Sequence, residues 1–179
     1  MITRGTIALQ WLAALDVQLF LGLNRGRRSP STESLIRWIS RSGDGYVYVA
    51  MGATLPWLYP EQGRGFLLSG LLAFLIELPV YWILKNSFKR RRPFRVVKAL
   101  APALNPSDEF SFPSGHTTAA FMMAGITSVW FPTLSLLMFV WASLVGLSRV
   151  LLKVHFVSDV LAGIVLGTLF ASLSLLLSS

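Results

Sequence analysis

Two features of this chain predict an all-α, polytopic membrane bundle of five to six transmembrane helices. Hydrophobic residues make up 54% of the 179, charged ones only 13%, and the mean hydropathy is +0.61. Ordinary soluble domains carry about a quarter charged residues. Apolar runs close to the length of a helical crossing, about 20 residues, follow one another with turn residues between them. Five or six such spans with short loops nearly exhaust the chain, which leaves room for one domain.

The elements follow in order. Residues 6–23 (TIALQWLAALDVQLFLGL) are apolar but interrupted by Gln10, Asp16 and Gln18. An ionised Asp at mid-bilayer costs roughly 2.5–3.5 kcal/mol, so an interfacial helix is expected here rather than a short first span. Residues 24–32 read as a polar, turn-rich linker, which makes 1–32 an N-terminal appendage to a core at 33–179. The core opens with an amphipathic turn holding Arg37 and Arg41 and breaks at Gly43-Asp44-Gly45. It continues as an apolar run too short to span alone, so the amphipathic turn completes the crossing at head-group level. Pro60 to Arg64 reads as a tight turn.

Residues 65–84 form a full span that ends at Lys85. It carries Glu77, an intramembrane acid that is either functional or, more simply, bonded within the bundle. Residues 86–112 form the one long loop. It is basic first (Lys89, Arg90, Arg91, Arg92, Arg95, Lys98) and then acidic at Asp108 and Glu109. Helices are predicted over 114–131, over 133–150 after a turn at Pro132, and over about 157–177, where Gly163 and Gly167 permit close helix packing.

A net charge of +8 would suggest nucleic acid in a soluble protein. Among apolar spans, the cations instead suit anionic head groups or a phosphorylated substrate, and no nucleic-acid partner is expected. There is no cysteine, hence no disulfide and no thiolate metal site. The N-terminus lacks the cleavage pattern of a secretory signal, so insertion is expected to rest on the spans themselves.

Three short stretches carry the chemistry. Lys85-(six residues)-Arg92-Pro93 supplies two cations. Pro113-Ser114-Gly115-His116 opens a helix, whose first N–H groups attract anions; its glycine allows close approach, and its serine adds a donor. Ser148-Arg149-(five residues)-His155-(three residues)-Asp159 adds a third cation and places a carboxylate one helical turn from a histidine. That carboxylate could orient the ring so that Nε2 keeps its lone pair, or it could merely charge a helix N-terminus. Lys85, Arg92 and Arg149 suit a phosphoryl group. Lys89, Arg90, Arg91, Arg95 and Lys98 read more simply as cations snorkelling at the membrane boundary. Counting crossings puts all three stretches on one membrane face.

In this order and spacing, the stretches resemble the pattern K-x6-RP, PSGH and SR-x5-H-x3-D of the type 2 phosphatidic acid phosphatase (PAP2) superfamily, over roughly residues 33–178. Every position of the pattern is matched. The resemblance implies a PAP2-type bundle and a metal-independent phosphatase with no cofactor. It implies that His155 attacks phosphorus to give a phosphohistidine, that Asp159 orients it, and that His116 protonates the leaving group. Lys85, Arg92, Ser114, Gly115, Ser148 and Arg149 would hold the phosphoryl oxygens. Many bacterial members have a full first span before the region that corresponds to residues 16–59; here little more than a dozen residues stand in that place, which bears on the six-span count and not on the site.

A phosphate site at head-group level suits a substrate whose chains stay in the bilayer. The expected class is therefore a lipid phosphate or pyrophosphate: undecaprenyl pyrophosphate, phosphatidylglycerophosphate or phosphatidic acid. A non-catalytic lipid-binding or transport protein that keeps the pocket is the competing class, and the soluble haloperoxidases of the superfamily do not suit so hydrophobic a chain. The expected location is the bacterial inner membrane. Family resemblance favours a periplasmic site, whereas the positive-inside rule favours a cytoplasmic one, since Arg64 is the one cation on the opposite side if residues 6–23 do not cross. The periplasmic face is taken as the expectation. The sequence does not specify an oligomeric state.

Overall fold

The computed structural model describes residues 4–97, 106 and 108–178, and every regular element among them is helical. In chain order these are α1 (Arg4–Leu23), α2 (Pro30–Ser42), α3 (Gly45–Leu58), α4 (Pro60–Phe88), α5 (Pro93–Val96), α6 (Gly115–Trp130), α7 (Ser135–Leu151) and α8 (Val157–Ser178). A 3-10 turn at Pro132–Leu134 leads into α7. The stretches Pro60–Val96, Pro132–Leu151 and Val157–Ser178 are long and apolar enough to cross a membrane. With 14 and 16 residues, α3 and α6 reach about 21 and 24 Å at the usual rise. The all-helical membrane architecture is as expected, and three of the five to six expected spans meet the full length.

The bundle is built like a membrane protein. Small and polar residues face inward, while leucines such as Leu68, Leu75, Leu136, Leu161 and Leu176 face out. Without a hydrophobic drive between helices in lipid, close backbone approach supplies the packing. One core cluster joins Tyr48, Phe66, Met122, Met123, Ile126 and Phe170; another joins Ala120, Phe121, Ala142 and Val145. The tightest seam is between α6 and α8. A Cβ on Gly163 would sit 2.9 Å from the Ser114 carbonyl, and one on Gly167 would collide with the Thr118 carbonyl. The expectation that these glycines serve packing is met.

At one end of the bundle, Trp130 Nε1 donates to Ser69 Oγ (3.1 Å), which also lies 2.9 Å from Ser178 Oγ. The motifs lie at the other end. There α1 meets the connector between α7 and α8: Phe20 packs on Val150 and Phe156, and Asn24 Nδ2 donates to the Val150 carbonyl at 3.2 Å. Arg28, beyond α1, donates to the Leu151 carbonyl at 2.8 Å.

Three boundaries differ from the sequence reading. The linker ends at Ser29, not at residue 32, because Ser29 Oγ caps α2 by accepting from Thr32 N (3.2 Å) and Pro30 takes the first helical position. Pro60 to Arg64 is the first turn of α4, not a separate turn, again with proline in the position that needs no N–H. Only Tyr59 separates α3 from α4, and this hairpin closes because Gly63 lies against the Leu55 carbonyl. The loop reading of 86–112 is also too long at its start: α4 continues to Phe88, and α5 follows. Lys98 lies outside the described residues, as do 1–3 of the N-terminal segment.

The α6–α8 seam yields a test. Gly163→Ala is expected to lower stability by about 1–3 kcal/mol through overpacking. Gly70→Ala adds its methyl where nothing lies within 4 Å and is expected to be neutral or to stabilise by up to ~1 kcal/mol. Thermal unfolding of both variants in detergent checks the contrast.

Candidate active site

The seam sets two helix starts side by side. Ser114 N donates to the Asp159 carbonyl at 3.1 Å, tying the N-terminus of α6 to the first turn of α8. Ser114 is fully buried, its hydroxyl 2.8 Å from Thr117 Oγ1. A Cβ on Gly115 would meet the Tyr81 ring at 3.0–3.2 Å, so glycine lets α4 close over this turn.

His155 lies in the connector just before α8 and is 2% exposed. Its Nδ1 stands 3.7 Å from Asp159 Oδ2, and its Nε2 stands 3.5 Å from Arg92 Nη1. The ring thus turns one nitrogen toward a carboxylate and the other toward a cation. Asp159 Oδ2 also accepts from Phe156 N at 2.8 Å. Burial pushes the His155 pKa down to about 4; Asp159 opposes the shift, while Arg149 and Arg92 add to it. At neutral pH the ring is neutral, as a nucleophile requires.

Three predicted cations converge here, each at most 6% exposed: Lys85 from the end of α4, Arg92 just before α5, and Arg149 from the end of α7. Lys85 Nζ and Arg92 Nη2 both bond the carboxylate of Asp108, which also accepts from Tyr81 Oη at 2.8 Å. Burial acts to raise the Asp108 pKa, but hydrogen bonding and charge from Lys85, with Tyr81 and Arg92 behind it, hold it down to about 2. Arg92 Nη1 further donates to the Val154 carbonyl at 2.8 Å. Arg149 Nη1 donates to Ser40 Oγ at 2.6 Å, while its buried Nε has no partner among the described residues. Ser148 is buried too, but its hydroxyl bonds its own helix at the Val145 carbonyl, 2.6 Å away.

His116, in the first turn of α6, is more open: its side chain is 32% exposed, and Nε2 lies 2.8 Å from Asp44 Oδ1. Asp44 follows Gly43 in the break between α2 and α3, immediately before Gly45 opens α3. Arg149, His116, Ser40 and Asp44 line a cavity of about 880 Å³. Thus the residues of all three stretches come together at one end of the bundle.

One sequence expectation is corrected. Arg90 is not a snorkelling boundary cation: its Nη1 donates to Asp159 Oδ1 at 2.7 Å, and its Nη2 to Asp16 Oδ2 at 2.5 Å. Two anions buried in the fold draw it inward. Its neighbours Lys89 and Arg91 do face outward, and Arg95 pairs with Glu109 at the surface, 2.8 Å away. Sequence reading also missed Asp44, Asp108, Tyr81 and Ser40. The Gly-Asp-Gly break was the one available signal, and it reads in the sequence as an interruption without a role for its aspartate. Glu77 is buried one helical turn before Tyr81.

The PAP2 superfamily model matches residues 65–179. The undecaprenyl-diphosphatase of Sulfolobus acidocaldarius is 27% identical over 168 residues, 92% of this chain and 79% of that protein. Phosphatidylglycerophosphatase B of Bacillus subtilis is 36% identical over 132 residues, 68% of this chain and 61% of that protein. The crystal structure of Aquifex aeolicus LpxE superposes with a TM-score of 0.76 at 28% identity, covering 90% of this chain and 94% of that one. The PAP2-type phosphatidylglycerolphosphate phosphatase structure from Bacillus subtilis gives 0.73 at 30%, covering 91% and 84%.

The depressed His155 pKa has a consequence for stability. The unfolded chain takes up this proton near pH 6.5 but the folded chain only near pH 4, so stability from this group falls as pH drops through that window. Asp108, held near 2, loses its stabilising share only below the ordinary carboxylate value of 3.8, outside the window. His155→Gln is therefore expected to flatten the decline of Tm between pH 6.5 and 4, as read by scanning calorimetry in detergent.

Proposed function

The chain belongs to the PAP2 superfamily, and on that premise we propose that it is an integral-membrane lipid phosphatase. It hydrolyses a phosphomonoester or pyrophosphate of a membrane lipid. The observation that carries this reading is the Asp108 carboxylate bridging Lys85 and Arg92 beside His155 Nε2. Two buried cations within reach of one oxyanion, next to a neutral imidazole lone pair, suit a phosphoryl group. An arriving phosphate displaces Asp108 from them.

In the first step, His155 Nε2 attacks phosphorus and the P–O bond to the leaving group breaks. Electrons pass to that oxygen, which takes a proton from His116. Asp159 balances the positive charge that develops on the His155 ring. In the second step, His116 accepts a proton from water as its oxygen attacks phosphorus. The P–N bond then breaks, releasing orthophosphate and restoring His155. Lys85, Arg92 and Arg149 offset charge on the phosphoryl oxygens, with Ser114, Gly115 and Ser148 as further phosphate-binding positions. Asp44 holds His116 within reach of the cavity.

An apolar groove of about 630 Å³ between α3 and α4 shares Gly45, Val49 and Ala53 with that cavity, which favours a lipid as the bearer of the phosphate. Undecaprenyl pyrophosphate, phosphatidylglycerophosphate and phosphatidic acid are the substrates to compare. The site is proposed to face the periplasm from the inner membrane of a bacterium, with α1 lying at the interface.

Phosphate release from these three lipids is expected to persist in EDTA and to be inhibited by orthovanadate; abolition by chelator would sink the mechanism. His155→Ala is expected to lower kcat by roughly 10⁴-fold or more, and acid-labile phosphate trapped on the wild-type protein to disappear with it. A reporter fused after Ser179 is expected to be cytoplasmic. A periplasmic reporter would place the site on the inner side, as the charge bias favours.

A further inference from the structure

We infer that Arg90 and Asp16 form a positioning relay that holds the Asp159 carboxylate, and through it the His155 ring; as a statement about catalysis this rests on the phosphatase reading. Asp159 is fully buried. One of its oxygens, Oδ2, accepts from Phe156 N and stands 3.7 Å from His155 Nδ1, a buried atom with no hydrogen-bond partner among the described residues. The other, Oδ1, takes a hydrogen bond from Arg90 Nη1. Nη1 also donates to Ser158 Oγ at 2.6 Å. Asp16 of α1 closes the network: Oδ2 accepts from Arg90 Nη2 and from Ser158 Oγ, both at 2.5 Å, and Oδ1 accepts from Ser158 N at 3.0 Å. The Arg90 guanidinium lies 4.5 Å over the Phe156 ring.

This geometry separates Arg90 from the other cations. Lys85 and Arg92 meet at Asp108, and Arg92 faces His155 Nε2, whereas Arg90 meets Asp159 on the oxygen turned from the histidine. It is therefore placed to act on the carboxylate and not on a phosphoryl group. A fully buried carboxylate with one N–H donor would take up a proton or turn away if its cation were removed. Paired with Arg90, it stays ionised with Oδ2 aimed at Nδ1. Asp16 then sets the charge balance: two carboxylates and one guanidinium leave one net negative charge beside a ring that becomes cationic when its Nε2 bonds phosphorus. The N-terminal helix thus contributes to the site and does not serve only as a membrane anchor.

The test uses full-length protein in detergent, with Arg90→Gln, Arg90→Lys and Asp16→Asn. Arg90→Gln is expected to lower kcat roughly 10- to 100-fold, the range typical of lost orienting partners, with KM and the orthophosphate inhibition constant unchanged. Arg90→Lys restores part of the loss. Asp16→Asn costs about tenfold in the native background and little more once Arg90→Gln is present. An unchanged kcat, or a loss confined to KM and orthophosphate binding, overturns the relay.

A second readout does not depend on turnover. With His116→Gln as background, ¹⁵N-histidine labelling reports His155 alone, since the chain has two histidines. Arg90→Gln and Asp16→Asn are expected to shift its Nδ1 and Nε2 resonances away from the Nδ1–H tautomer. Unchanged resonances in both variants overturn the relay. Shifted resonances in a protein whose wild type releases no phosphate from any lipid keep the relay and overturn the phosphatase reading.

Discussion

The hydrogen bond from Ser114 N to the Asp159 carbonyl is the constraint on which the rest of the site depends. It joins the first turns of α6 and α8, and those turns hold both histidine-bearing stretches. The bond exists because the two helices approach closely, and they can do so because Gly163 and Gly167 present no Cβ to the Ser114 and Thr118 carbonyls. In lipid such approach replaces the hydrophobic drive that water would provide. Two glycines in mid-helix thus set the separation between Ser114 and Asp159, although neither touches the chemistry.

The cluster so assembled has an unusual electrostatic demand. Lys85, Arg92 and Arg149 are all buried, and burying a cation without a partner is costly. The chain meets the demand for two of them with Asp108, and for Arg149 with Ser40 Oγ, leaving its Nε unmatched among the described residues. A site that needs an anion to balance it is prepared to bind one. Asp108 is suited to give way, because it lies outside the helices while the two cations it neutralises are fixed at the end of α4 and just before α5.

Much of this was legible in the sequence, for reasons that also explain the gaps. The helices follow from apolar runs, and the shared face of the three stretches follows from counting crossings, since each traverse reverses the side. His155 comes within 3.7 Å of Asp159 as the four-residue spacing suggests, although His155 lies in the connector and not, as that spacing assumes, on the helix that carries Asp159. Asp16, Arg90, Asp44 and Asp108 were illegible because their partners are remote: Asp16 meets Arg90 across 74 residues, and His116 meets Asp44 across 72. An acid in an apolar run counts as a cost until its partner is known, and an arginine among five other cations counts as surface. The starts of α2 and α4 were missed although Pro30 and Pro60 mark them, because proline was read as a turn and not as a first helical residue.

The two flanks of the site are built from different materials, and the difference bears on what each can do. On one flank, Asp16 of α1 and Asn24 and Arg28 after it bond Ser158 N of α8 and the Val150 and Leu151 carbonyls of α7, the helix ends on either side of His155. Such contacts are directional and fix a ring in place. On the other flank, α3 and α4 leave an apolar groove that meets the cavity at Gly45, Val49 and Ala53. Apolar contact is non-directional and indifferent to chain register. A group whose phosphorus must be placed within tenths of an ångström, carried on a chain whose own position hardly matters, would call for this pairing of flanks. On the proposed reading, the rigid flank holds His155 and the yielding one receives the lipid chain.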